Sequence, residues 1–370
     1  MSQIQYIMYK DIPVAKINGF DVNIINFDRL PFELHTRELD FDMIFHGWTE
    51  IRIMNIGRTN AKALTASLHL SQKNTYAIGK LLHFTQFTDC YWIKSENENI
   101  TWKDVNPYVN SIEERLSRIS LTGESADLRD LTFMSHLQSP ELAAQGVSAK
   151  CLVKEPDGLY LYKVARKEIA ASQILDELDI SHIQYTAVPE KKLEDIATKA
   201  RIEKIKNNNE AVCQCKIISN EETSLLAWDD FLAYCSHIEV DPYAKMQGMS
   251  NYHEYHLMNI ADYILGNNDR HGVNWGFAID NDKNIITGLH PLMDHDHSFD
   301  DSNILCQTTD KATPLFDAAI SSIQAINAGT DFLQNIRTKP DYIDDKEWEG
   351  VLSRRDLLQK ALHKDNRQTT

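Results

Sequence analysis

Gly266-Asn267-Asn268-Asp269-Arg270-His271-Gly272-Val273-Asn274, then Trp275-Gly276-Phe277-Ala278-Ile279-Asp280, and, after Asn281 to Asn284, Ile285-Ile286-Thr287-Gly288-Leu289-His290-Pro291-Leu292-Met293-Asp294 form the stretch that decides the fold. Ile260 to Leu265, just before it, reads as the end of an amphipathic helix that Gly266 terminates. Residues 267–274 read as a polar loop, Trp275 to Asp280 as a strand, Asn281 to Asn284 as its turn and Ile285 to Leu289 as the return strand. Phosphoryl transfer on magnesium needs hard oxygen ligands held rigidly, with room for phosphate oxygens and water. It also needs a carboxylate that orients or deprotonates the attacking hydroxyl. A helix, an Asp-x-x-x-x-Asn loop, a short hairpin and an Asp deliver those groups in order. Asp269, Asn274 and Asp294 are the oxygen-bearing candidates in that order. Any one of these in a turn is ordinary turn chemistry; their joint spacing carries the specificity.

Upstream, Lys150 to Lys154 and Leu159 to Val164 read as a hairpin around Glu155-Pro156-Asp157-Gly158. A helix is expected from Glu168 to Leu178, on the spacing of Ile169, Ser172, Gln173 and Leu175. Lys191 to Asn209 is polar and lysine-rich, a solvated helix or loop. Residues 1 to about 125 begin with a second hairpin signal, Ile12 to Ile17, Asn18-Gly19, Phe20 to Ile25, in which Asn-Gly supplies the turn. Asn60 reads as the N-cap of a helix from Ala61 to Leu70. Two aromatic-rich segments, Cys90 to Lys94 and Ile100 to Asp104, read as packing surfaces. Leu121 to Asp130 is the expected boundary, polar with one Gly and no period. Beyond about 226 the chain reads as mainly helical with one β-ribbon, and its last helix is expected to fray after Lys364.

The bulk numbers agree with a folded protein: 370 residues, 42% hydrophobic and 25% charged. A net charge of −16 without a basic arm argues against direct nucleic-acid binding and against an anionic membrane surface. No apolar run approaches the ~18 residues of a membrane span. The start lacks the basic n-region and apolar core of a signal peptide. The six cysteines show no disulfide framework, and free thiols fit a reducing compartment, so the expected location is cytoplasmic. Cys213 and Cys215 sit two apart in an alternating stretch, as buried strand residues or as half of a soft metal site.

Asn267 to Asn274 and Pro291 to Asp294 resemble the catalytic loop and metal-binding segment of HipA-like Ser/Thr kinases, and Asp-Arg-His also resembles the related phosphoinositide kinases. Tyr160-Leu161-Tyr162-Lys163 is similar to the strand whose Lys contacts nucleotide phosphates, and Glu168 to the helix Glu that pairs with it. The resemblance covers roughly residues 135 to 330. It implies an α+β, bilobal protein-kinase-like fold with an additional N-terminal α+β module: residues 1–125 of unknown role, 126–225 a β-rich small lobe, 226–370 a mainly helical large lobe. It implies ATP and Mg²⁺ as cofactors, and transfer of the γ-phosphate to a protein Ser or Thr, the chain itself included. Such kinases can act as toxins restrained by an antitoxin, so an antitoxin-like partner is a further implication. Lys163, Glu168, Lys150 and Ser148 are then the nucleotide-site candidates, with Asp269 catalytic and Asn274 and Asp294 on the metal. Ser139 and Ser148 are candidates for self-modification.

The chain departs from that pattern. No Gly-x-Gly-x-x-Gly precedes Lys163, and Ser139 to Lys150 holds a single Gly. Asp294 is followed by His-Asp-His, which makes Asp296 a rival ligand. Two other functions therefore stand beside the kinase. His253, His256, His271, His290, His295 and His297, with Asp294 and Asp296, are the residue types of a metal-dependent phosphohydrolase, and imidazoles suit zinc, iron or manganese. A nucleotide-binding pseudokinase acting as a regulatory module is the third reading.

Overall fold

The computed structural model describes residues 4–19, 21–35, 41–71, 74–130, 139–300, 305–327 and 331–368. In the N-terminal part, strands β1 (Gln5–Tyr9), β2 (Ile12–Asn18), β3 (Asp21–Ile24) and β4 (Tyr91–Ser95) form an antiparallel sheet in the order β3-β2-β1-β4. Asn18 pairs with Asp21, so Asn18 belongs to the strand and the turn is not centred on Asn18-Gly19; residue 20 lies outside the described residues. Gly19, at φ +62°, has the positive φ of a tight turn.

Helices α1 (Phe41–Glu50), α2 (Ala61–Ser67), α3 (Thr75–Leu81), α4 (Trp102–Val105) and α5 (Glu114–Thr122) pack with that sheet around Ile7, Val14, Leu64, Ile78, Trp92 and Ile119. Asn60 precedes α2 but makes no side-chain cap. Its Nδ2 donates instead to Ser120 O and Leu121 O, at 3.0 and 3.2 Å, which ties α2 to the end of α5.

Strands β5 (Lys150–Glu155) and β6 (Gly158–Val164) form the expected hairpin, with Glu155 opposite Gly158 and Pro156-Asp157 as the turn. Then come α6 (Arg166–Glu177), β7 (Thr186–Ala187), α7 (Glu190–Ile196), α8 (Lys199–Asn207) and β8 (Val212–Lys216), giving a sheet in the order β5-β6-β8-β7. Alternation along β6 sorts its faces. Leu161 packs with Ile169, Tyr185, Cys213 and Cys215, while Tyr160 and Tyr162 pack with Leu193 and Ile202 of α7 and α8. Cys213 and Cys215 are thus core residues, and all six cysteines are buried and free.

In the last part, β9 (Thr223–Ala227), β10 (Gly276–Asp280) and β11 (Ile285–Leu289) make a three-stranded sheet, so the expected ribbon gains a third strand from the segment that leads into this lobe. Helices α9 (Trp228–His237), α10 (Pro242–Gln247), α11 (His253–Leu265), α12 (Leu315–Ala325) and α13 (Asp345–Gln368) accompany it, with a short ribbon of β12 (Leu305–Cys306) and β13 (Thr313–Pro314). α13 runs past Lys364 to Gln368. The core here includes Phe231, Met258, Ile264, Phe277 and Leu358, and takes in Ala170, Ala171 and Ile174 of α6. α6 therefore belongs by sequence to the small lobe and by packing to both. Among the described residues, no helix is long and apolar enough to cross a membrane.

Candidate active site

α11 ends at Gly266, where φ is +64° and an added Cβ would lie 2.7 Å from Asp300 O, so both the backbone and its surroundings require glycine. Arg354 of α13 donates to Ile264 O and Leu265 O, at 2.9 and 3.2 Å, a cation placed on the carbonyl end of the helix. Asp262, buried in the last turn of α11, accepts Arg270 Nε and Nη2, each at 2.9 Å, and Asn267 Nδ2 at 2.9 Å. Arg270 Nη1 then donates to Asn274 O at 2.7 Å and to Met293 O at 2.5 Å. One guanidinium thus joins the helix, the loop and the residue before Asp294. Burial alone would lower Arg270, but Asp262 outweighs it and the net shift is upward.

Asp269 sits at the outer side of this loop with 40% of its side chain exposed. Asn274 Nδ2 closes the loop on Asp269 O at 2.8 Å. Two half-exposed imidazoles flank the Asp269 carboxylate, His271 Nε2 at 3.7 Å and His297 Nε2 at 3.9 Å.

The chain after β11 crosses to the small lobe: Ile183 N donates to Leu292 O at 2.7 Å and Leu292 N to Ser181 O at 3.0 Å. That bridge sets Asp294, at φ +60°, under β6. Lys163 Nζ lies 2.9 Å from Glu168 Oε1, 2.6 Å from Asp294 Oδ1 and 2.8 Å from Asp296 Oδ2. Glu168 is fully buried, and its second oxygen accepts His295 N at 2.9 Å. Burial would lower the Lys163 ammonium, but Asp294, Glu168 and Asp296 together hold it well above its usual value. Burial, against the pull of Lys163 and with two more carboxylates near, pushes Glu168 up to about 7. Asp294 is held below the usual carboxylate range, because the Lys163 ammonium overcomes its burial.

Glu168, Asp294 and Asp296 present carboxylate oxygens within 4.8 Å of one another, the group among the described residues with the spacing of a metal site. An all-oxygen donor set suits a hard cation such as magnesium, not zinc. Of the histidines, His295 and His297 border the group, at 3.9 Å from Glu168 Oε2 and 3.9 Å from Asp296 Oδ1, while His256 meets Ser322 Oγ at 3.3 Å, His290 meets Pro291 O at 2.8 Å, and His253 faces Glu254 at 3.5 Å. His295 is buried beside Glu168, with Nε2 unpartnered, and its burial together with Arg270 keeps it well below its ordinary pKa.

Ser148 Oγ donates to Asp296 Oδ2 at 3.1 Å, which brings it into the carboxylate group. Lys150 Nζ turns to Gln145 O at 2.7 Å. Ser139 is buried and donates to Glu141 Oε2 at 2.8 Å, so it is closed off from solvent. Lys163, Glu168, Asp294, Asp296 and Ser148 therefore meet, while Asp269 and Asn274 form the adjoining loop. Sequence reasoning passed over Asp262 and Arg270. Their signal was an aspartate inside the apolar run Ile260 to Leu265, a position where an unpaired charge is not tolerated.

No protein-family model matches the chain, and no curated protein does. Among solved structures, it is similar to HipA of the Shewanella oneidensis MR-1 toxin–antitoxin system, seen with HipB and operator DNA. That likeness has a TM-score of 0.50 at 10% identity and covers 96% of each chain. The fold is HipA-like. A second likeness is to the Helicobacter pylori proinflammatory kinase CtkA, at 15% identity and a TM-score of 0.39, over 57% of this chain and 90% of that one. The carboxylate group stands where the segment after β11 crosses from the α11 region to the sheet of β5 to β8 and α6.

Proposed function

We propose that this HipA-like chain is an ATP- and Mg²⁺-dependent kinase that transfers the γ-phosphate to a protein Ser or Thr, itself included. The observation that carries the reading is the convergence of Lys163 on Glu168, Asp294 and Asp296, next to the Asp269–Asn274 loop. Magnesium, when bound, would neutralise phosphate charge on a hard-oxygen set that includes Asp294 and Asn274. Lys163, steadied by Glu168, holds the nucleotide phosphates. Ser148 and Lys150 line the phosphate side. Asp269, open to solvent, orients the acceptor hydroxyl and takes its proton. The chain's contribution is positioning and fixed charge, not covalent chemistry.

Residues 1–125 are assigned as an N-terminal module, 126–225 as the small lobe and 226–370 as the large lobe. Six buried free thiols support a cytoplasmic location. The HipA neighbour stands in a complex with HipB, which supports an antitoxin-like protein partner for this chain. The net charge of −16 supports no direct nucleic-acid contact.

Intact-protein mass spectrometry after incubation with ATP and Mg²⁺, on wild type and Asp269→Asn, is the first test, with a calorimetric ATP titration of both. The expected result is added phosphate in the wild type alone, with ATP affinity kept within about twofold in the variant and transfer lowered by about 10³-fold or more. Equal phosphate gain in the variant would remove Asp269 as the base. A protein that binds no ATP would remove the kinase reading.

A further inference from the structure

Residues 51–59, between α1 and α2, grip the segment that leads into β5. Met54 N donates to Leu142 O at 2.6 Å and Thr59 N to Val147 O at 2.9 Å. Arg58 Nη1 donates to Glu141 O at 2.8 Å and to Ala144 O at 3.2 Å. In the other direction, Gln145 Nε2 donates to Ile51 O at 2.8 Å and also to Ile53 O. Arg58 is buried at 3% exposure, so its guanidinium faces this segment and not solvent.

The far side of the segment is held as well. Glu141 is fully buried and accepts Ser117 Oγ of α5, Ser139 Oγ and Leu152 N. The tip is open to solvent, with Val147 57% exposed. Gly146 stands there at φ +82°, so close to Lys150 Nζ that an added Cβ would lie 2.7 Å from it. The tip leads to Ser148, on Asp296, and to Lys150, across from Lys163. The segment therefore occupies the place of a phosphate loop, with one glycine where a glycine-rich loop would have several.

A loop that holds phosphate through its backbone contributes affinity only to the extent that it is already ordered, because ordering costs about 1–2 kcal/mol per residue. Here much of the order comes from residues 51–59, outside the two lobes. We infer that residues 51–59 are part of the nucleotide site: Arg58 and Gln145 act as positioning residues that set the 141–148 loop against the phosphates of ATP. This gives the N-terminal module a role in catalysis, and it rests on the kinase reading above. Arg58 touches no reacting atom; it acts through the carbonyls of Glu141 and Ala144.

The test uses the full chain, with calorimetric Kd values for Mg²⁺–ATP and for adenosine, and melting temperatures, for wild type, Gln145→Ala and Arg58→Lys. Gln145 is exposed, so its alanine variant keeps the fold even if a change at Arg58 does not. The expected result is an ATP Kd raised about tenfold in Gln145→Ala, the loss of two hydrogen bonds, with adenosine Kd within about twofold and the melting temperature lowered by no more than about a few degrees. Arg58→Lys, which keeps the charge but not the fork, moves the same ratio in the same direction. An unchanged ratio of ATP to adenosine affinity in Gln145→Ala overturns the inference while leaving the kinase reading intact. Absence of ATP binding in the wild type overturns both.

Discussion

Lys150 stands directly across from Lys163 in the β5–β6 hairpin, so two ammonium groups share one face of the sheet. Burial, with the Lys163 charge beside it, lowers Lys150 from 10.5 to about 8. Phosphate oxygens would favour the charged form, so ATP binding above pH 8 takes up a proton. Mg²⁺–ATP affinity is then expected to fall as pH rises through 8, by up to about tenfold per unit, and to stay flat in Lys150→Arg. Stability of the free fold runs the other way. Between 8 and 10.5 the unfolded chain binds more protons at this lysine than the native state does, so its contribution to stability rises with pH. Calorimetry at pH 7, 8 and 9 with parallel denaturant melts reads both signs; a wild-type affinity that is flat with pH would take Lys150 out of the phosphate site. At this scale, Asp269, Asn274 and Asp294 could be singled out as candidates because their order along the chain is itself the signal. Asp296 and Ser148 were harder, since their meeting at 3.1 Å joins positions on different lobes, and spacing does not encode that.

α6 shows how an element is held in place by residues far along the chain. Arg166, its first residue, forms a two-pronged ion pair with Glu347 of α13, at 2.9 and 2.8 Å. Lys167 reaches Asp300 at 3.2 Å, and Glu168 accepts His295 N from the segment after Asp294. The first turn of α6, which aims Glu168 at Lys163, is thus tethered to the large lobe. Each partner of the Arg166–Glu347 pair has a side chain 13% exposed, between a surface and a buried pair. A double-mutant cycle of Arg166→Ala and Glu347→Ala should give a coupling of roughly 1–2 kcal/mol in denaturant melts. Strict additivity would mean that α6 is fixed by its apolar face alone. The helix itself was legible from its spacing, and the β5–β6 hairpin from its Pro-Asp-Gly turn. α2 starts at Ala61 as expected but ends at Ser67, short of Leu70, and its cap was not as expected, because the Asn60 side chain is claimed by carbonyls some 60 residues away. A cap rule assumes that the nearest backbone is the best partner; here a tertiary one wins.

Across the whole molecule, the N-terminal module meets the large lobe as well as the segment 141–148. Leu225 N donates to Thr88 O at 2.9 Å, and Trp102 Nε1 to Glu221 Oε1 at 2.9 Å, both at the connector between the lobes. Arg29 reaches Asn281 O and Asp282 O, each at 2.5 Å, and Tyr9 Oη reaches Asn281 O at 2.7 Å. These contacts join positions more than 100 residues apart, and residues 1–125 read in isolation carried no catalytic pattern, so this bracing was not legible from the sequence. The turn Asn281–Asn284 returns β10 into β11 and so carries the approach to Asp294. Arg29→Ala removes two hydrogen bonds from a cation to that turn, worth on the order of 2 kcal/mol of local opening free energy. Hydrogen exchange of the β10 and β11 amides is expected to quicken by roughly tenfold or more in the variant, while exchange in β5 and β6, held by the separate grip of residues 51–59, stays as in the wild type. Exchange that is unchanged in β10 and β11 would mean that the sheet holds the hairpin without help. Exchange that quickens equally in both lobes would mean that Arg29 supports the fold at large, and that the N-terminal module does not brace the two lobes independently.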